Sequence, residues 1–158
     1  MSPTRILVIE DEKKTAAFLA KGLREAGFTV DVAMDGETGL KQSARKKYDV
    51  MLCDWKMPGL NGRQVYEKLR ATNPGLSDRM IFITGDLISE KTRKFLEQQN
   101  KICLPKPFTL VEFRAAINKV LAESQTETGN GGGSETRKKG DKQKPDKEKA
   151  DKEKADKA

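Results

Sequence analysis

Residues 48–62, Tyr-Asp-Val-Met-Leu-Cys-Asp-Trp-Lys-Met-Pro-Gly-Leu-Asn-Gly, decide how the rest of the chain is read. Tyr48 to Cys53 is a short, mostly apolar run with β-branched and aromatic members, the pattern of a strand buried on both faces of a parallel sheet. Asp54 ends that run. Pro58-Gly59 and Asn61-Gly62 are turn signals, so the acid leaves the sheet where the chain becomes an irregular loop. A carboxylate there loses solvation unless something uses it. The stretch alone leaves two readings open: a loop acid that accepts amide hydrogen bonds, or a reactive group.

Working outward, Arg5 to Ile9 is a second compact apolar strand, and it runs directly into Glu10-Asp11-Glu12. From Lys13 to Ala26 the apolar positions Ala16, Ala17, Leu19, Ala20 and Leu23 follow helical spacing, with Gly27 as the expected C-cap. Phe28 to Ala33 reads as a strand, Asp35-Gly36 as a turn, and Glu37 to Lys46 as a short amphipathic helix. Beyond the central stretch, Gly62 to Thr72 reads as a helix ended near Asn73-Pro74-Gly75. Met80 to Ile83 is the next buried strand and delivers Thr84 to its end. Ser89 caps an expected helix over Glu90 to Gln99. Lys101 to Leu104 is a last strand, followed by Lys106. Thr109 caps a helix running to about Glu123, with Leu110, Phe113, Ile117, Val120 and Leu121 as its expected buried stripe. Strands alternating with helices in this way predict an α/β fold, a doubly wound parallel sheet covered on both faces.

In such sheets ligands bind beyond the carboxyl ends of the strands. Glu10 and Asp11, Asp54, Thr84 and Lys106 all follow strand ends, so the fold brings them to one edge. Singly each has an ordinary explanation: a helix cap, a loop acid, a turn residue, a solvated charge. Together they form a chemical set. Clustered carboxylates repel unless a proton or a divalent cation intervenes, and hard oxygen donors suit magnesium rather than zinc. A lysine and a hydroxyl opposite that cation are suited to the oxygens of a transferred phosphoryl group, and a carboxylate in line with them to its capture as an aspartyl phosphate.

Glu10-Asp11, Asp54 with Lys56-Met57-Pro58-Gly59 and Asn61-Gly62, Thr84, and Lys106-Pro107-Phe108 resemble the full signature of the receiver domain of two-component response regulators, in order and spacing from about Thr4 to Glu123. The resemblance implies the flavodoxin-like (βα)5 fold with strand order 2-1-3-4-5. It implies that Asp54 is the phosphoacceptor, taking its phosphoryl group from a sensor histidine kinase or phosphotransfer protein. It implies that Glu10, Asp11, Asp54 and the backbone carbonyl of Lys56 hold Mg2+, that Thr84 and Lys106 engage the phosphoryl oxygens, and that Lys106-Pro107 is cis. The sequence departs from the family at Cys103, where many members carry an aromatic ring that turns inward on activation, so a modest conformational response is expected. Lys56 and Asp86 stand two residues past Asp54 and Thr84. They are expected either as two solvated charges or as a pair across the mouth that hinders water and prolongs the acyl phosphate.

Composition bounds what such a site serves. The 158 residues suit one domain, expected over 4–123, with a flexible linker and a Lys/Asp/Glu-rich low-complexity tail over 124–158. There is no histidine, which removes the usual general base and zinc ligand. Cys53 and Cys103 lie in apolar runs and read as small buried side chains. Residues 129–158 hold 10 basic and 7 acidic side chains, or +3, leaving +4 of the total of +7 for residues 1–128. Neither part is the dense basic stripe that nucleic-acid binding requires, so nucleic acid is not an expected partner. From Gly129 onward no Val, Ile, Leu, Met or aromatic side chain is present to bury. The tail is therefore expected to be disordered, with a reach of roughly 30 Å. No apolar run reaches membrane-spanning length, and a cytoplasmic location without membrane insertion is expected.

The resulting expectation is a stand-alone response regulator that is not an enzyme beyond promoting its own phosphorylation and dephosphorylation, and that signals to an unknown downstream protein through altered binding. Two alternatives stand beside it. A magnesium-dependent aspartyl-phosphate phosphohydrolase of the haloacid-dehalogenase-like kind resembles this site but requires a second Asp where Lys56 stands. A basic-tailed nucleic-acid-binding regulator is the other.

Overall fold

The computed structural model describes residues 2–133, with side chains through Glu123. Five parallel strands, β1 (Arg5–Ile9), β2 (Thr29–Ala33), β3 (Val50–Asp54), β4 (Met80–Thr84) and β5 (Ile102–Pro105), form one sheet in the order β2-β1-β3-β4-β5. This is the flavodoxin-like arrangement expected. The helices are α1 (Lys13–Glu25), α2 (Gly36–Arg45), α3 (Gly62–Thr72), α4 (Pro74–Ser77), α5 (Glu90–Gln98) and α6 (Leu110–Gly133).

Alternation along the strands divides the core in two, as the period-2 geometry of a strand demands. Ile6, Val8, Val50, Leu52, Ile81 and Ile83 pack against Leu19, Ala20 and Leu23 of α1 and Phe113, Ala116, Ile117 and Val120 of α6. Leu7, Ile9, Met51, Cys53, Met80 and Phe82 face the other way, against Val65, Tyr66 and Leu69 of α3, Leu76 of α4 and Leu96 of α5. Every residue of β3 and β4 is buried, the signature of central parallel strands.

Local sequence explains where the elements start. Asp35 Oδ1 accepts the Thr38 amide at 2.8 Å, and Ser89 Oγ accepts the Thr92 amide at 3.0 Å. Asn61 and Gln64 exchange side-chain and backbone bonds in a capping box, as do Thr109 and Glu112. Gly27, at φ +103°, ends α1 in the left-handed region that a C-cap needs.

Four expectations are corrected. The stop at Asn73-Pro74-Gly75 is followed by one more helical turn, α4, because the Asn73 side chain accepts the Leu76 amide at 3.3 Å and Pro74 suits the first helical position. Leu110 is 42 % exposed and Leu121 only partly buried; at the first turn of α6 the stripe has not yet rotated onto the sheet, and Ala116 takes the vacant core position. Ala17 likewise lies on the exposed side of α1. The α6 backbone continues past Glu123 to Gly133, with no proline between Thr109 and Pro145 to forbid it.

By compactness the chain divides into Met1–Leu121 and Ala122–Ala158. The expected charged tail lies, from residue 134, outside the described residues.

Candidate functional site

The carboxyl ends of β1, β3 and β4 and the residue just past β5 carry Glu10, Asp54, Thr84 and Lys106. Glu10 sits one residue beyond β1, 1 % exposed, and its backbone amide is held by Ala33 O of β2 at 3.1 Å. Asp54 is the last residue of β3 and pairs in register with Ile83, so Thr84, the next residue of β4, stands beside it at the sheet edge. Lys106 is tied to β4 by its backbone amide, which donates to Thr84 O at 2.7 Å. The loop after Asp54 folds back closely. A Cβ on Gly62 would come within 3.0 Å of both Trp55 Cα and Asp54 O, so only glycine allows α3 to start there. The Lys106-Pro107 peptide is cis.

The ammonium of Lys106 lies 3.0 Å from Glu10 Oε1 and 3.5 Å from Asp54 Oδ2, bridging two buried carboxylates. Glu10 Oε2 also accepts the Glu12 amide at 3.0 Å, which leaves Glu10 with both oxygens engaged. Oxygens of Glu10, Asp11 and Asp54 lie within 4.8 Å of one another, with Asp11 at the exposed side. Burial first, and the Glu10 carboxylate second, push Asp54 up to about 6; Lys106 opposes this only in part. Burial works against the charged Lys106, yet its hydrogen bond to Glu10 and the charge of Asp54 together outweigh it and hold its pKa above the ordinary lysine value.

Two of the three carboxylates therefore share one ammonium, and the remaining negative charge is the condition that a hard divalent cation relieves. The donor set fits magnesium: oxygen only, converging, and open to water on the Asp11 side. Beside Lys106 a cavity of about 470 Å3 opens between the starts of α1 and α6, lined by Glu12, Thr15, Phe18, Gly85, Lys106 and Phe108.

The sequence set thus comes together at one edge. What sequence reasoning missed is that Glu10, as well as Asp54, engages the Lys106 ammonium. Opposite charges at the ends of strands on either side of β3 were the available signal. Also unforeseen is the ring cluster next to the acid: Trp55 meets Phe82 edge-on at 5.0 Å and Phe95 of α5 at 6.1 Å, and Tyr66 touches both phenylalanines. Cys103 pairs in register with Phe82 and packs partly buried against this cluster. Both cysteines are free thiols. Of the two readings of Lys56 and Asp86, the pair forms, at 3.3 Å, with both side chains largely exposed.

The family model described as the response regulator receiver domain matches residues 6–118. The chain belongs to this family. Receiver domains of this kind are phosphoacceptor modules of two-component systems, and aspartate phosphorylation and magnesium are typical of them. The receiver is 39% identical over 122 residues to the transcriptional activator protein IrlR of Burkholderia pseudomallei, covering 77% of this chain and 52% of that protein. It is 36% identical over 117 residues to the transcriptional regulatory protein CusR of Escherichia coli, covering 74% and 51%. The chain thus spans about half the length of the curated relatives it matches. Among solved structures, the response regulator TrrA of Thermotoga maritima, in complex with Mg(2+)-BeF, superposes with a TM-score of 0.64 at 28% identity, covering 75% of this chain and 99% of that one. A CheY-like receiver protein from Methanospirillum hungatei gives 0.70 at 24% identity over 80% and 99%, a likeness of fold. No described helix is long and apolar enough to cross a membrane.

Proposed function

We propose that Asp54 accepts a phosphoryl group from the phosphohistidine of a sensor histidine kinase or phosphotransfer protein. The observation that carries this is the position of Lys106, 3.5 Å from Asp54 and 3.0 Å from Glu10, at the centre of a carboxylate cluster with uncompensated charge. A carboxylate oxygen of Asp54 attacks phosphorus, the P–N bond breaks, and the imidazole nitrogen of the donor leaves with the electron pair. Lys106 then exchanges a carboxylate partner for a phosphoryl oxygen, and the Thr84 hydroxyl donates to another. Glu10, Asp11, Asp54 and the carbonyl of Lys56 are the ligands proposed for Mg2+, which when bound neutralises the site and the incoming phosphoryl oxygens. The cleft beside Lys106, with Phe18 exposed on its rim, offers the donor an apolar contact next to the acceptor.

The receiver is proposed to span residues 4–123, with 124–158 as a linker and charged tail, and to act in the cytoplasm. It is a phosphoacceptor whose output is altered protein binding. The names of the curated relatives favour a second output, regulation of transcription through a DNA-binding domain or partner. A pull-down comparing phosphorylated and unphosphorylated chain, analysed for both protein and DNA, separates the two. The phosphoacceptor reading itself is tested with acetyl phosphate and magnesium. Stoichiometric labelling that is lost in Asp54→Asn supports it, and sustained turnover of phosphate esters would instead identify a hydrolase.

A further inference from the structure

Two clefts lie away from the candidate site. One, of about 520 Å3, opens where the chain enters β3 and β4, and Arg45, Lys46, Lys47 and Arg79 are among its lining. The other, of about 640 Å3, lies between α2 and α3 and is lined in part by Lys41 and Lys68. Ser43, Ala44 and Asn73 border both, so the two clefts form one continuous groove. Its lining sets those six basic side chains against one acid, Asp49, a balance of +5. Residues 1–128 carry +4 in all, which leaves −1 for everything in them outside the groove. No local stretch of sequence shows this, because Lys68 and Arg79 join the run 41–47 only through the packing of α3 and β4 beside it.

Ordinary structural duties account for part of the charge. Lys46 pairs with Asp31 at 3.0 Å, and Arg79 Nε donates to the backbone carbonyl of Asp49. Arg45 lies in the last turn of α2, where the helix dipole favours a cation. Yet Lys41, Arg45, Lys47 and Lys68 are all exposed, and none of them forms an ion pair among the described residues. Lys41 contributes only a longer-range attraction to Asp35. Like charges gathered in this way repel one another, and an anion laid along the groove relieves them.

We propose that the groove docks an extended acidic segment of a partner protein, with carboxylates at alternate residues. Lys41 and Arg45 stand one helical turn apart on α2, about 6 Å. Alternate side chains of an extended chain share a face at about 6.6 Å spacing, so successive carboxylates meet successive cations. Asn73, between the two clefts, gives its Oδ1 to the Leu76 amide and keeps its Nδ2 donor unused among the described residues, ready for a carbonyl of the segment. Leu40 and Ala44 supply apolar contact between the charges. Nucleic acid fits less well, since Tyr48, the one ring of the lining, is 6% exposed and its hydroxyl is bound to Asp31, which leaves no platform for a base. The chain's own residues 129–158, with 10 basic and 7 acidic side chains, carry the wrong net sign.

The groove works apart from the acceptor. Asp49 and Asp54 bracket β3, five residues or roughly 16 Å apart, about two Debye lengths at physiological salt. A segment docked at the amino-terminal edge of the sheet leaves the opposite edge open and stays bound whether or not Asp54 carries a phosphoryl group. The inference therefore does not rest on the phosphoacceptor reading.

The test is fluorescence anisotropy of a short labelled peptide, with Glu at alternate positions and Ala or Leu between, titrated with the full 158-residue chain. Lys41→Gln with Lys68→Gln is expected to weaken binding about three- to twentyfold, the range for two exposed ion pairs. Lys91→Gln with Lys94→Gln removes the same charge from exposed positions of α5 and should leave the affinity within about twofold. Added salt should weaken binding to the unsubstituted chain, and beryllofluoride with magnesium should leave it unchanged. Absence of saturable binding overturns the proposal. So does equal weakening in the two double variants, which would assign the attraction to net charge. A duplex DNA of equal charge that binds more tightly than the peptide, with the same dependence on Lys41 and Lys68, would make the groove a nucleic-acid site instead. A response to beryllofluoride would overturn its independence from Asp54.

Discussion

Replacing Asp54 by Asn is expected to stabilise the magnesium-free receiver. Asp54 has its pKa raised from 3.8 to about 6 by burial and by Glu10, net of Lys106. A carboxyl whose pKa is higher in the folded chain than in the unfolded one binds its proton more tightly when folded. The stability this brings is fully present below pH 3.8 and is lost as pH rises through about 6. At neutral pH the ionised acid is therefore a burden on the fold. A shift of about two units corresponds to an upper bound of about 3 kcal/mol, and solvent screening at the open side of the site reduces it to about 1–2 kcal/mol. Asn keeps the shape and removes the charge. In urea unfolding with a chelator, Asp54→Asn should exceed the unsubstituted chain by about 1–2 kcal/mol at pH near 8, with the gap closing toward pH near 4. Magnesium should reverse the order by stabilising only the chain that retains all three carboxylates. A variant less stable than the parent at the higher pH, or a gap that does not vary with pH, would refute the electrostatic account of the site.

Lys106→Met removes the only cation bonded to the buried Glu10 among the described residues and should destabilise the magnesium-free chain by about 1–3 kcal/mol in the same unfolding assay. It should also tighten magnesium binding, since the ammonium and the metal compete for the same oxygens; weaker binding would show that Lys106 organises the carboxylates instead. Trp55 is the single tryptophan and adjoins Asp54, so magnesium titration should change its emission in the parent and leave it unmoved in Asp54→Asn. Gly62→Ala places a methyl within 3.0 Å of Trp55 Cα and Asp54 O and is expected to cost about 1–3 kcal/mol, read by thermal unfolding.

The fold was legible because β1, β3 and β4 are short apolar runs that end in, or run directly into, a polar residue. β3 and β4 are buried on both faces and carry no alternation, which distinguishes them from the edge strand β2, whose Thr29 is exposed. The site was legible because its members all follow strand ends, where the rule for parallel sheets places ligands. What was not legible depends on distance rather than pattern. Periodicity names the face of a helix but not where that face first meets the sheet, so Leu110 was assigned to the core. The turn of α4 depends on one Asn side chain reaching a nearby amide, and the same asparagine would equally have ended the chain's helical path. The engagement of Lys106 by Glu10 depends on how β1, β3, β4 and β5 align at their ends, which no local window contains.

The bond from Lys106 to Glu10 joins residues separated by 96 positions. No stretch of the nascent chain shorter than about that length contains a complete site, and the carboxylates at the ends of β1 and β3 acquire their lysine only when the last strand has docked beside β4. A chain still being synthesised, or one stalled short of β5, presents these acids without the ammonium that bridges them. Assembly of the complete carboxylate–lysine cluster is thereby tied to completion of the sheet.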